Sequence, residues 1–227
     1  MTGIAPPRSA PSAVVHLRPL ATPLPMGFLG LAAGTFVVAG LQLGWVPQAQ
    51  GNAVALVLVA FVFPLQAVAA LLGFLCRDAA AATGMAVLAG TWLSLGLITL
   101  AGPPGTTSEA AGLLLVLSAL VLWVPVAAAG PGKPVASGVI ALSSLRFAVT
   151  GVHELSASET WKDTAGIVGL LLAAAAVYAA FALAIEDQRR HPLLPTWRQG
   201  AGAAAMHGDW SDQTEELVHE AGVRRQL

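Results

Sequence analysis

Six stretches of mostly apolar residues, at 27–46, 53–75, 82–102, 110–129, 135–155 and 164–185, are separated by short breaks made of Pro, Gly, Asn or charged residues. A helix rises 1.5 Å per residue and needs about 20 apolar residues to cross the hydrocarbon core of a bilayer. Each stretch therefore predicts one spanning helix, and the chain reads as an all-α membrane protein with six transmembrane helices. The first stretch is longer than the apolar core of a cleavable signal peptide and lacks the basic segment that closely precedes one. Residues 1–25 read instead as a Pro-rich flexible arm, 26–198 as the membrane domain and 199–227 as a tail. Within that tail, 212–221 has the pattern of one short amphipathic helix, against the simpler reading of a disordered segment.

Composition sharpens this picture. Of the 227 residues 56% are hydrophobic and only 10% charged, with a mean hydropathy of +0.73, whereas a soluble domain carries about 25% charged residues. A water-soluble globule is excluded. The formal net charge of -1 supplies no basic field for a phosphate backbone, which removes nucleic-acid binding. Cys76 is the single cysteine, so no intrachain disulfide forms.

Lysine and arginine in short flanks set orientation. An even number of spans puts both termini on one side, and that side collects Arg8, Arg18, Arg77, Lys133, Arg189, Arg190, Arg198, Arg224 and Arg225, against Lys162 alone in the opposite loops. Both termini are predicted to be cytoplasmic, in a multi-pass protein of the plasma membrane. Trp45, Trp123, Trp161 and Trp197 fall near span ends, where an indole buries its ring and keeps its N–H wet.

A few residues depart from plain lipid packing. Arg146 lies mid-span, where a guanidinium costs on the order of 2.5–3.5 kcal/mol on insertion scales. At 100° per residue it shares a stripe with Ser143, Thr150, His153 and Glu154, so the fifth helix presents a polar face to water or to another helix. Two roles stand open for it: a clamp on helix polar groups, or a fixed positive charge for an anion. Gln42 and Gln66 must find partners inside the membrane, as interhelical bonds or as pore groups. The Gly30/Gly34 and Gly40/Gly44 pairs predict close helix packing, and Pro64 and Pro125 predict kinks. No spacing of His, Cys, Asp or Glu suits a metal, and none of the usual nucleophile or phosphate-loop motifs occurs. The histidines His16, His153, His191, His207 and His219 are scattered. The expectation is a non-enzyme without metal or cofactor.

The segment Thr22-Pro23-Leu24-Pro25-Met26-Gly27-Phe28 resembles the Asn-Pro-x-Pro-Leu-Gly-Leu signature of the acetate uptake transporter family, the succinate–acetate permeases. It keeps both prolines and the glycine, with Thr22, Met26 and Phe28 in place of Asn, Leu and Leu. Residues 66–95, with Leu71-Leu72, Thr83 and Trp92-Leu93-Ser94-Leu95, look like the family's second and third helices. Gly169-Leu170 through Tyr178 to Leu194-Pro195 looks like its last helix and Leu-Pro exit, so the resemblance spans roughly 22–198.

The resemblance implies a pore within each protomer, assembly as a homohexamer, and passage of acetate, other small monocarboxylates or succinate, with or without protons. It places the family's Phe, Tyr and Leu constriction at Leu31, Leu88 and Ser143, so both aromatics are missing and one position is polar. Gln66, Trp92, Arg146 and Thr150 join these as expected pathway residues. Thr22, Pro23, Pro25 and Gly27 form an expected cytoplasmic entrance, where the N–H groups of Met26, Gly27 and Phe28 would face a carboxylate. Two other readings share the composition: an amide or urea channel, and a non-transporting scaffold subunit whose polar stripe binds a partner helix.

Overall fold

The structure is a computed structural model and describes residues 20–189, 193–200 and 203. Most of the predicted N-terminal arm and the predicted helix at 212–221 lie outside the described residues. Among the described residues, six helices are long and apolar enough to span a membrane: α1 (Leu24–Gln42), α2 (Gln48–Leu75), α3 (Ala79–Ala101), α4 (Glu109–Ala129), α5 (Pro134–Ser156) and α6 (Glu159–Arg189). The chain is an all-helical, multi-pass membrane protein.

Local chemistry sets the ends. Asp78 caps α3 by accepting from the N–H of Ala81 at 3.2 Å, and Ser108 caps α4 by accepting from Ala111 at 3.3 Å. Pro134 opens α5, where its missing N–H costs nothing, and Ala157 closes it in the left-handed conformation. The first helix ends four residues earlier than hydropathy predicts. Gly44 sits at φ +75°, and Trp45 and Val46 donate back to the carbonyl of Gly40 at 2.8 and 3.1 Å. Gly40 and Gly44 thus shape a chain reversal instead of a helix contact, correcting the packing role expected for them. The other glycine pair packs as expected: a methyl group on Gly30 would lie 3.1 Å from Cβ of Leu65, and one on Gly34 3.0 Å from the methyls of Val62.

Both prolines distort their helices. Pro64 cannot donate to the carbonyl four residues back, and the turn before it widens into a π-helical segment at Leu58–Val62. Pro125 does the same to α4, which divides into Glu109–Val121 and Trp123–Ala129.

Each helix packs against its neighbours in sequence, and α6 closes on α1, so the six form a ring in chain order. Small residues allow the tight seams. Gly112 of α4 and Gly151 of α5 each face the other's carbonyl, and a Cβ on either would lie within 3.2 Å of that oxygen. Along α6, Gly166, Gly169, Ala173, Ala176 and Ala180 are buried, which brings the α1 backbone close. Large apolar residues such as Phe36, Leu71, Leu113, Leu120, Leu171 and Phe181 point outward and are more than half exposed, as a lipid-facing surface requires. Trp45, Trp123, Trp161 and Trp197 are exposed as well.

Because neighbours alternate in direction, α1, α3 and α5 run parallel across the ring. This sets the geometry of its centre.

Candidate functional site

Two cavities open into the ring from opposite faces. The one on the face carrying the start of α1 and the end of α6 has a volume of about 470 Å³ and is lined by Thr22, Leu24, Asp78, Lys133, Glu186 and Arg198, among others. The other, on the opposite face, is about 460 Å³; Gln48, Thr106, Glu154 and Lys162 stand in its walls, and Val38, Gln42, Leu58, Leu95 and Thr150 also line it. On α1 the first cavity reaches Leu24 and the second Val38. Those 14 residues correspond to about 21 Å of helix, between the points where the two cavities touch α1.

Within that stretch, Leu31, Leu88 and Ser143 are all fully buried. Neighbouring contacts fix their relative depth. Below them, a Cβ on Gly27 would meet Met85, and one on Gly84 would lie 3.4 Å from Ile140, tying α1 to α3 and α3 to α5. Above them, Trp92 meets Phe147 edge to face at 5.5 Å and Arg146 donates to Thr35. Three or four residues up each parallel helix from the lower contacts, and three or four down from the upper ones, lie Leu31, Leu88 and Ser143. The three therefore occupy one layer. Ser143 spends its hydroxyl proton on the carbonyl of Val139 at 2.8 Å, within its own helix.

Arg146 is 1% exposed. Its Nη2 donates to Oε1 of Gln42 at 2.7 Å, Nη1 to Oγ1 of Thr150 at 2.5 Å, and Nε to Oγ1 of Thr35 at 3.4 Å. Thr150 in turn donates to the carbonyl of Arg146, and Thr35 to that of Gly169 on α6. The guanidinium thus joins α5, α1 and α6, with partners that are all neutral. Among the described residues, ion pairs join Lys133 to Asp78, Lys162 to Glu159 and Arg198 to Glu186, and none of these involves Arg146.

The two glutamines part company. Gln42 is an interhelical partner, whereas Gln66 is fully buried with neither amide atom bonded. Gln66 packs its stem 3.5 Å from where a Gly30 side chain would begin and lines neither cavity, so the interhelical bond expected of it does not form. Trp92 is 1% exposed and its indole N–H is likewise unpartnered.

At the entrance segment, Thr22 lines the cavity near the start of α1. The N–H of Gly27 already donates to the carbonyl of Pro23 at 3.2 Å, and Phe28 lies deeper in the helix. Of the three amides expected to face a carboxylate, this leaves Met26 alone. Pro23 and Pro25 flank the first residue of the helix.

Sequence reasoning missed Thr35 and Phe147, which carry no signal beyond their register on the parallel helices, and met Gly169 only as part of the last-helix resemblance. It also missed the pairs Asp78–Lys133, at 2.5 Å, and Glu186–Arg198, at 2.6 Å, which flank the cavity beside Thr22. An acidic residue at the end of the last apolar run was the available hint for Glu186.

Residues 6–198 match the GPR1/FUN34/yaaH family. The chain belongs to that family. Membership bears out the assignment read from the Thr22–Phe28 segment and the later helices, and makes the chain a membrane transport protein and not an enzyme. Two solved chains match this fold. One is the bacterial acetate channel SatP, 21% identical, with a TM-score of 0.68 and coverage of 78% of this chain and 99% of that one. No curated protein matches in sequence.

Proposed function

We propose that the chain conducts acetate and other small monocarboxylates across the cell membrane along the axis of its own helix ring. The observation that carries this is the pair of cavities facing each other across the buried layer of Leu31, Leu88 and Ser143, in a family whose solved structural relative is an acetate channel. An apolar neck blocks hydrated inorganic ions, whereas a carboxylate with a short apolar tail can exchange water for a few donors. Gln66, Trp92 and Arg146 hold unspent donors near that neck, Thr150 braces the guanidinium, and Thr22, Pro23, Pro25 and Gly27 shape its cytoplasmic entrance. Ser143, where the family has an apolar residue, makes the neck wider and more polar, and this extends the substrates to succinate.

The nine-to-one distribution of flanking Lys and Arg supports cytoplasmic termini. The homohexamer rests on the family resemblance. Purified protein in proteoliposomes tests the reading: labelled acetate enters above protein-free vesicles, unlabelled succinate competes and urea does not. Urea flux without acetate flux would make it an amide channel, and no flux from inserted protein a scaffold. A pH gradient imposed at clamped voltage drives acetate accumulation only if a proton accompanies the anion.

A further inference from the structure

Arg146 holds five N–H protons, of which three are engaged, and all three acceptors are neutral side-chain oxygens. A buried charge with no counter-charge is costly, and the cost is greatest in a membrane interior. Trp92, one helix away, buries an indole N–H that has no acceptor. Both side chains line the same small void, which is walled by Leu95, Leu115 and Phe147 and shares Val38, Leu95 and Thr150 with the cavity above. In this conformation the void has no room even for a water molecule, so a ligand must displace its walls. Trp92, with its unpartnered donor, and Arg146, with its unneutralised charge, border one apolar void and lack the same thing, a small acceptor bearing negative charge.

We infer that Arg146 and Trp92 form an anion subsite immediately beyond the neck, which takes the carboxylate of a small monocarboxylate. One oxygen accepts from the guanidinium and the other from the indole N–H, while the short alkyl tail rests against Leu95, Leu115 and Phe147. The void opens from the cavity side by side-chain rotation, and Thr35, Gln42 and Thr150 hold the guanidinium in place without neutralising it. The inference rests on the proposed carboxylate transport, but binding can be measured without flux.

The test is equilibrium binding of labelled acetate to the intact detergent-solubilised protein, paired with flux in proteoliposomes, for wild type, Trp92→Phe, Arg146→Lys and Arg146→Leu. Trp92→Phe keeps the ring contact with Phe147 and removes only the donor. It is expected to weaken acetate binding by roughly tenfold to a hundredfold, the size of one charge-assisted hydrogen bond, with an elution profile like that of wild type. Arg146→Lys should weaken it by a similar factor through loss of the planar fork, and Arg146→Leu should abolish saturable binding. Binding by wild type that weakens in these variants upholds the subsite even if vesicles show no acetate flux. Unchanged acetate affinity in folded Trp92→Phe overturns it, and so does wild-type flux that neither residue alters, which would leave the transport reading standing.

Discussion

A methyl group added to Gly169 would lie 2.9 Å from Nε of Arg146 and 3.0 Å from Cβ of Ala39. The guanidinium is therefore seated directly against the α6 backbone, in a space that exists because residue 169 has no side chain. The same backbone accepts the Thr35 hydroxyl at the Gly169 carbonyl, so one glycine supports both halves of the α1–α5–α6 junction.

Gly169→Ala should destabilise the protein by about 1–3 kcal/mol through overpacking. Unfolding in detergent measures this, and the penalty should shrink in an Arg146→Leu background where the clash with Nε is gone. Equal penalties in both backgrounds would assign the strain to Ala39 alone.

Gln66→Leu should leave stability unchanged or raise it. The amide is fully buried with no partner, and a buried polar group without a hydrogen bond costs about 1–3 kcal/mol. A clear loss of stability would show that Gln66 is bonded within the folded protein.

Asp78 caps α3 and pairs with Lys133 at the head of α5, whose side chains are 19% and 34% exposed. Asp78→Ala should cost about 1–2 kcal/mol, most of it from the cap. Lys133→Ala should cost less than about 1 kcal/mol, as expected for a half-exposed pair. A double-mutant cycle on unfolding midpoints separates the two contributions.

Orientation is open to labelling in a Cys76→Ser background. Thr107, in the exposed α3–α4 loop, when replaced by Cys should react with an impermeant thiol reagent added to intact cells. Trp197→Cys should react only after the cells are opened. The reverse pattern would invert the topology.

Hydropathy alone made the six helices legible, since each must satisfy its own backbone in lipid and carry enough apolar residues to cross. The helix kinks were legible too, because Pro64 and Pro125 act on their own turns. Long-range partners were not. Gln42 and Gln66 look alike as mid-span amides, yet one meets Arg146 across the ring and the other meets nothing, a difference set by helix rotation that neither local sequence encodes. Gly40 and Gly44 share the spacing of Gly30 and Gly34, but four residues of helix were lost to a turn before they could pack. Arg146 was legible as an outlier from its position, while its neutral partner set emerged only when α1, α5 and α6 were brought together.

If solute crosses at the layer of Leu31, Leu88 and Ser143, a thiol placed there lies in its path. In Cys76→Ser protein carrying Ser143→Cys, reconstituted in vesicles, a small thiol reagent should block labelled-acetate uptake, and excess acetate should slow the block. Complete modification of Cys at that position with acetate uptake undiminished would contradict the account.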